Sequence, residues 1–173
     1  DESPGFYPPL LYGASSIVAS ISGANAVSAV NGFALITFAI SLPAGLVGLA
    51  RALGASARVG LGLAICSPIV EAFPLDALIR GPIFPFVVAL ALVPAFLALL
   101  VVGASARGLD GAVLAALLAG SAAGLFLMHS ASPYNVAIFA VPLLIQILPE
   151  RPRVGEALGW LLAAGIGALA LVI

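Results

Sequence analysis

IFPFVVALALVPAFLALLVVG, residues 83–103, decides the fold of this chain. The stretch carries no charged residue, and as a helix it rises about 30 Å, the thickness of a bilayer's hydrocarbon core. Similar runs flank it at 25–50, 59–73, 112–128, 136–148 and 157–173. With 63% of the residues hydrophobic and 8% charged, a water-soluble fold has too little polar surface to cover them. The chain reads as an all-α, polytopic transmembrane helical bundle with about six spans, and its length suits one domain over residues 1–173.

The expected spans are Asn25 to about Ala52, Arg58–Pro74, Ile83–Gly103, Leu109–Met128, Pro133–Leu148 and Glu156 onward. Proline punctuates them. Pro43 predicts a kink or tilt in the long first span, Pro85 and Pro94 fall in the third, and Pro142 interrupts the short fifth. Trp160 is expected at the membrane interface. Before the first span, Tyr7–Ser22 mixes Leu10, Leu11, Ile17, Val18 and Ile21 with four serines. At about 15 residues it is short for a crossing. It is expected as an interfacial or re-entrant juxtamembrane helix, with a short tilted span as the alternative, ending at a Gly23-Ala24 break. Gly120 and Gly124 have a spacing that lets helices approach closely. The chain begins Asp-Glu-Ser-Pro and ends within an apolar run, so it reads as an internal piece of a longer membrane protein.

The basic residues, all arginine, sort by loop. Arg51 and Arg58 flank the first, Arg107 sits in the third, and Arg151 and Arg153 sit in the fifth. These alternate loops share a face, which the positive-inside rule makes cytoplasmic, as expected in a bacterial plasma membrane. The opposite, outer face then holds Glu71, Asp76, Arg80, His129, Tyr134 and Asn135.

Ionisable residues at membrane depth are costly and mark candidate sites. Glu71 ends an apolar helix, where its carboxylate can also simply reach the headgroups, and Asp76 and Arg80 have the spacing of a local ion pair. His129, the only histidine, can bond Ser130 or Ser132, or serve a phosphate or sugar hydroxyl. Tyr134 and Asn135 add hydrogen-bonding groups. The spacing of Glu71, Asp76 and His129 matches no standard metal-ligand pattern. Cys66, the only cysteine, cannot form an intrachain disulfide and is expected as a small buried thiol. The net charge of −1 gives no case for nucleic acid as a partner. No nucleophile elbow or phosphate-binding glycine loop occurs.

Tyr7-Pro8-Pro9-Leu10, a short helix, Gly23, and a span closing in Gly-Leu-Ala-Arg-Ala-Leu-Gly (48–54) resemble the GT-C membrane glycosyltransferases. Ala72-Phe73-Pro74, Arg80-Gly81-Pro82-Ile83-Phe84-Pro85, Leu92-Val93-Pro94-Ala95 and the Ser132-Pro133-Tyr134-Asn135 turn look similar to a family of uncharacterised multi-pass actinobacterial membrane proteins of GT-C-like architecture. The resemblance implies a polyprenyl-phosphate-linked sugar donor, a glycan acceptor of the cell envelope and an active site at the outer face. Membrane lipid is the other partner, and a divalent cation is the cofactor it allows. It casts Arg80 and His129 as phosphate or sugar contacts, and Glu71 or Asp76 as acceptor or metal contacts. Tyr7, where the family has a histidine before Pro-Pro, joins the binding residues. The arginine that often opens the next span in that family is missing around 26–31. The family's catalytic acid belongs to an outer loop that would mostly precede Asp1, so no catalytic residue is assigned. Alternative readings are a transporter or flippase subunit and a non-catalytic membrane scaffold.

Overall fold

The computed structural model describes residues 9–67, 84–150 and 154–172. Among them all regular structure is helical. Helix α1, Pro9–Ser22, opens on a proline, whose missing N–H has no partner to lose in a first turn. Its 14 residues rise about 21 Å, short of a bilayer core. Ser16 and Ser22 donate their hydroxyls back to the Tyr12 and Val18 carbonyls, so neither is left bare on an apolar helix. Gly23, at φ 71°, makes the turn in a left-handed conformation open to glycine. The Asn25 side chain then accepts the Ser28 N–H at 2.9 Å, capping the next helix.

That next run, 27 residues from Ala26 to Ala52, is long and apolar enough to cross a membrane. It has three parts: α2 (Ala26–Ile36), a π-helical segment (Thr37–Ser41) and α3 (Leu42–Ala52). Pro43 explains the middle part. In a regular α-helix its ring would press on the Ala39 carbonyl and supply no N–H to it. The backbone widens instead, and the Leu42 N–H reaches five residues back to the Thr37 carbonyl. The expected kink at Pro43 is thus taken up one turn upstream, as a π segment.

Helix α4, Ala57–Cys66, folds back on α3 through a turn at Gly54 (φ 79°), and Gly60 lies against Val47 and Ala50. The rest of the expected span to Pro74 lies outside the described residues. Cys66 is exposed, which corrects the expectation of a buried thiol. Gly60 is the buried residue of α4, so the helix turns most of its side chains away from the bundle.

Four further helices are long and apolar: α5 (Phe84–Gly103), α6 (Gly108–Met128), α7 (Ser132–Ile147, extended by a 3-10 turn to Glu150) and α8 (Val154–Val172). Five candidate spans therefore stand among the described residues. Helix α7 runs through Pro142 without the expected interruption. Pro142 is exposed there, so the ring meets no packed neighbour.

Packing explains the arrangement better than hydrophobicity does. Lipid tails are as apolar as leucine, so helices in a bilayer associate through close contact. Helix α5 is the centre, with ten buried positions along its length. Helix α3 docks on it through Gly45, where a Cβ would stand 2.8 Å from the Ala95 backbone nitrogen, and Gly48, which faces Ala98. Helix α8 docks on α6 in the same manner. The Trp160 indole occupies the space a Cβ on Gly111 would need, and Gly167 faces Ala119. Trp160 is thus half-buried between helices, its ring seated against Gly111, which follows Asp110 at the start of α6. Gly124 faces Leu10 of α1, whereas Gly120 meets nothing among the described residues, so half of the glycine pair takes part in the packing seen there.

Three apolar clusters stack along the bundle. One, around Leu49, Ala52, Val101, Ala104, Ile147 and Leu148, lies at the end where α3, α5 and α7 finish. A middle cluster includes Leu97, Leu118 and Ala164. The third joins Leu11, Ala34, Phe38, Val87, Val88, Leu125 and Met128 at the opposite end.

Candidate functional site

Every charged residue among those described belongs to the first of these ends. Arg51 closes α3, Arg58 opens α4, Arg107 precedes α6, and Asp110, Glu150 and Glu156 occupy helix-terminal turns. The opposite end presents the α6–α7 turn with His129, Ser130, Tyr134 and Asn135. The sequence grouped these residues with Glu71, Asp76 and Arg80. Those three, and Tyr7, lie outside the described residues, as do Arg151 and Arg153.

The turn is closed by its own atoms. His129 N–H donates to the Leu125 carbonyl at 3.0 Å, and Ser132 N–H to the His129 carbonyl at 2.9 Å. The Ala131 N–H donates to His129 Nδ1 at 3.1 Å. The expected Ser130 or Ser132 partner is therefore replaced by a backbone amide, because the ring folds back over its own turn. With Nδ1 accepting, the neutral ring carries its proton on Nε2. His129 is thereby a hydrogen-bond donor toward any ligand, since serving as a base would require the other tautomer and a broken turn.

The Phe86 ring meets the His129 ring edge-on at a centroid distance of 5.2 Å and limits its rotation. Sequence reasoning passed over Phe86, although two phenylalanines flanking Pro85 mark the start of α5. Tyr134 is 74% exposed and Asn135 half-buried, one turn further along α7. Ser132, by contrast, is 1% exposed and its hydroxyl has no partner. Among the described residues no group of three His, Cys, Asp or Glu side chains could hold a metal ion.

Beside the turn lies an apolar groove of about 220 Å³ between α1, α5 and α6. Leu10, Leu92, Phe96, Leu99, Leu125 and Met128 line it. Met128 immediately precedes His129, so the polar turn follows directly from a residue that lines the groove. The groove residues carry no motif, and Gly124 was their one trace in the sequence.

No curated protein and no solved structure matches the chain. A family model does match, over residues 1–173, and by it the chain belongs to DUF6541, a family of unknown function.

Proposed function

We propose that this chain is part of a membrane glycosyltransferase that uses a polyprenyl-phosphate-linked sugar donor at the outer face of a bacterial plasma membrane, for cell-envelope glycan assembly. The observation that carries the reading is the junction of the α1/α5/α6 groove with His129. An isoprenoid chain needs an apolar slot at hydrocarbon depth, and its phosphate needs a polar group where the slot ends. A groove running up to Met128, followed at once by a histidine whose Nε2–H points away from its own turn bond, meets both needs. In this role His129 donates to a phosphate or sugar oxygen, and Arg80 supplies the charge that stabilises the departing lipid phosphate. Glu71 or Asp76 contacts the acceptor or a divalent cation, and Tyr7, Tyr134 and Asn135 bind sugar hydroxyls. The arginine-bearing end faces the cytoplasm. A conduction role has less support, since the buried polar side chains among the described residues are Ser15, Thr37 and Ser132.

Replacing His129 by alanine in the full-length protein should lower transfer to a glycan acceptor by about 10²-fold, the usual loss for a donor aimed at developing charge. Arg80→Ala should do the same, and unchanged transfer by both variants would sink the assignment. Orientation has a separate test. With Cys66 replaced by serine, a membrane-impermeant maleimide applied to intact cells should label Ser130→Cys and spare Ser105→Cys; the reverse pattern inverts the topology.

A further inference from the structure

At the arginine-bearing end, α5 stops at Gly103 and α6 starts at Gly108, and a cavity of about 400 Å³ lies between the two ends. Val102, Ser105 and Ala106 form one side of it, and Asp110, Val113 and Leu114 the other. The turn that makes the first side is held by its own backbone. Ser105 N–H donates to the Val102 carbonyl at 3.0 Å, and Ala106 N–H to that of Gly103 at 3.1 Å. Gly108, at φ 52°, then swings the chain into α6. Next to Asp110, Gly111 seats Trp160 and ties this end of the helix to α8. Both walls are therefore fixed.

The lining is graded with depth. Asp110 is about 3 Å in from the first residue of α6, and Leu114 about 9 Å. Polar groups thus stand at the mouth, a hydroxyl on one wall and a carboxylate on the other, with valine and leucine behind them. Val102 and Val113 are about half exposed, so the apolar part is open to lipid tails. A cavity with this gradient at the edge of a bilayer suits an amphiphile with its head outward.

Charge selects the head. Asp110 is the one charged residue of the lining, and Arg107, three residues before it, forms no ion pair with it. The helix dipole alone favours an acid in the first turn, but here the acid also borders a space that a ligand can fill. A carboxylate repels a purely anionic head and attracts an ammonium group. Choline's quaternary ammonium has no N–H to donate and is recognised by aromatic cages, and none of the lining residues is aromatic. A primary ammonium instead donates charge-assisted hydrogen bonds to a carboxylate. At about 30 Å³ per water-sized group the cavity holds roughly thirteen, enough for the about eight heavy atoms of phosphoethanolamine and the first carbons of its tails. We propose that this cavity binds phosphatidylethanolamine from the adjoining leaflet, its ammonium on Asp110 and its phosphate at the Ser105 hydroxyl and the Arg107 guanidinium. The site lies at the end of the bundle away from His129 and does not depend on the donor reading.

The test uses the purified whole chain, delipidated in detergent and titrated with dioleoyl lipids under native mass spectrometry. Phosphatidylethanolamine should bind more tightly than phosphatidylcholine by up to about fivefold, the ceiling for an exposed ion pair. Along a series of N-methylated heads, the monomethyl and dimethyl lipids keep an N–H and should bind like the parent, with the loss at the trimethyl step. Asp110→Asn should erase the preference, and Asp110→Glu should keep most of it. Equal binding of the ethanolamine and choline lipids overturns the proposal, as does a preference that survives Asp110→Asn. Tighter binding of phosphatidylglycerol than of phosphatidylethanolamine overturns it too, since Arg107 would then act alone. A second variant leaves the carboxylate in place and fills the space behind it. Val113→Trp, at a half-exposed position, should lower binding of the ethanolamine lipid with thermal unfolding unchanged, and undiminished binding by that variant also overturns the site.

Discussion

Helices α2 and α3 belong to one continuous run and are similarly rich in alanine, glycine and branched apolar residues, yet they are held differently. Helix α3 has Gly45 and Gly48 on the face that meets α5, so two backbones touch and any added atom meets main chain. Helix α2 has Gly32 with nothing near it among the described residues; it packs on α1 and, through Ala34, in the cluster with Val87 and Val88. Glycine content therefore does not say where a membrane helix is tightly bound; the partner across from each glycine does. The π segment between them separates the half clamped backbone to backbone by glycine from the half that packs through side chains such as Phe33 and Ala34.

Substitutions should break that contrast in graded steps. Gly45→Leu is expected to have the largest effect. Overpacking usually costs about 1–3 kcal/mol, and more is expected here because the obstructing atom is the Ala95 backbone nitrogen. Loss of the folded fraction in detergent, read by thermal unfolding, checks this. Gly111→Leu follows, because its side chain must displace the Trp160 indole, a movable group but a large one. Altered Trp160 fluorescence, in a chain with one tryptophan, reports the displacement. Leu11→Ala should cost about 2 kcal/mol, the low end for a buried leucine, since no water-transfer penalty applies inside a bilayer. Its effect should be local: faster hydrogen exchange in Pro9–Ile36, with Leu42–Ala52 unchanged. Uniform loosening of both segments would refute the difference in attachment. Gly120→Ala should do least. With nothing near Gly120 among the described residues, it should gain up to about 1 kcal/mol from helix propensity.

Cys66 and Trp160 show why side-chain placement escaped a linear reading. Cys66 sits in an apolar run, and in water an apolar neighbourhood implies burial. In a bilayer it implies only hydrocarbon depth, and the residue faces outward from α4. Trp160 has the position of an interface anchor, and its seat against Gly111 on another helix has no mark in the sequence. His129 was legible as the one histidine at a span end. Its proton position was not, because that depends on a hydrogen bond to Ala131, formed only when the turn closes.

What the sequence determined by itself was the helical membrane architecture and the gathering of charge. A bilayer offers no partner for a bare N–H or carbonyl, so each long apolar run must satisfy its backbone as a helix. The alternating arginine-bearing turns follow from that count. Tertiary structure alone decided the register of α3 on α5, the relief of Pro43 as a π segment, and the groove between α1, α5 and α6. Those depend on which small residue meets which neighbour at van der Waals distance, and apolar sequences, nearly interchangeable in composition, do not record it.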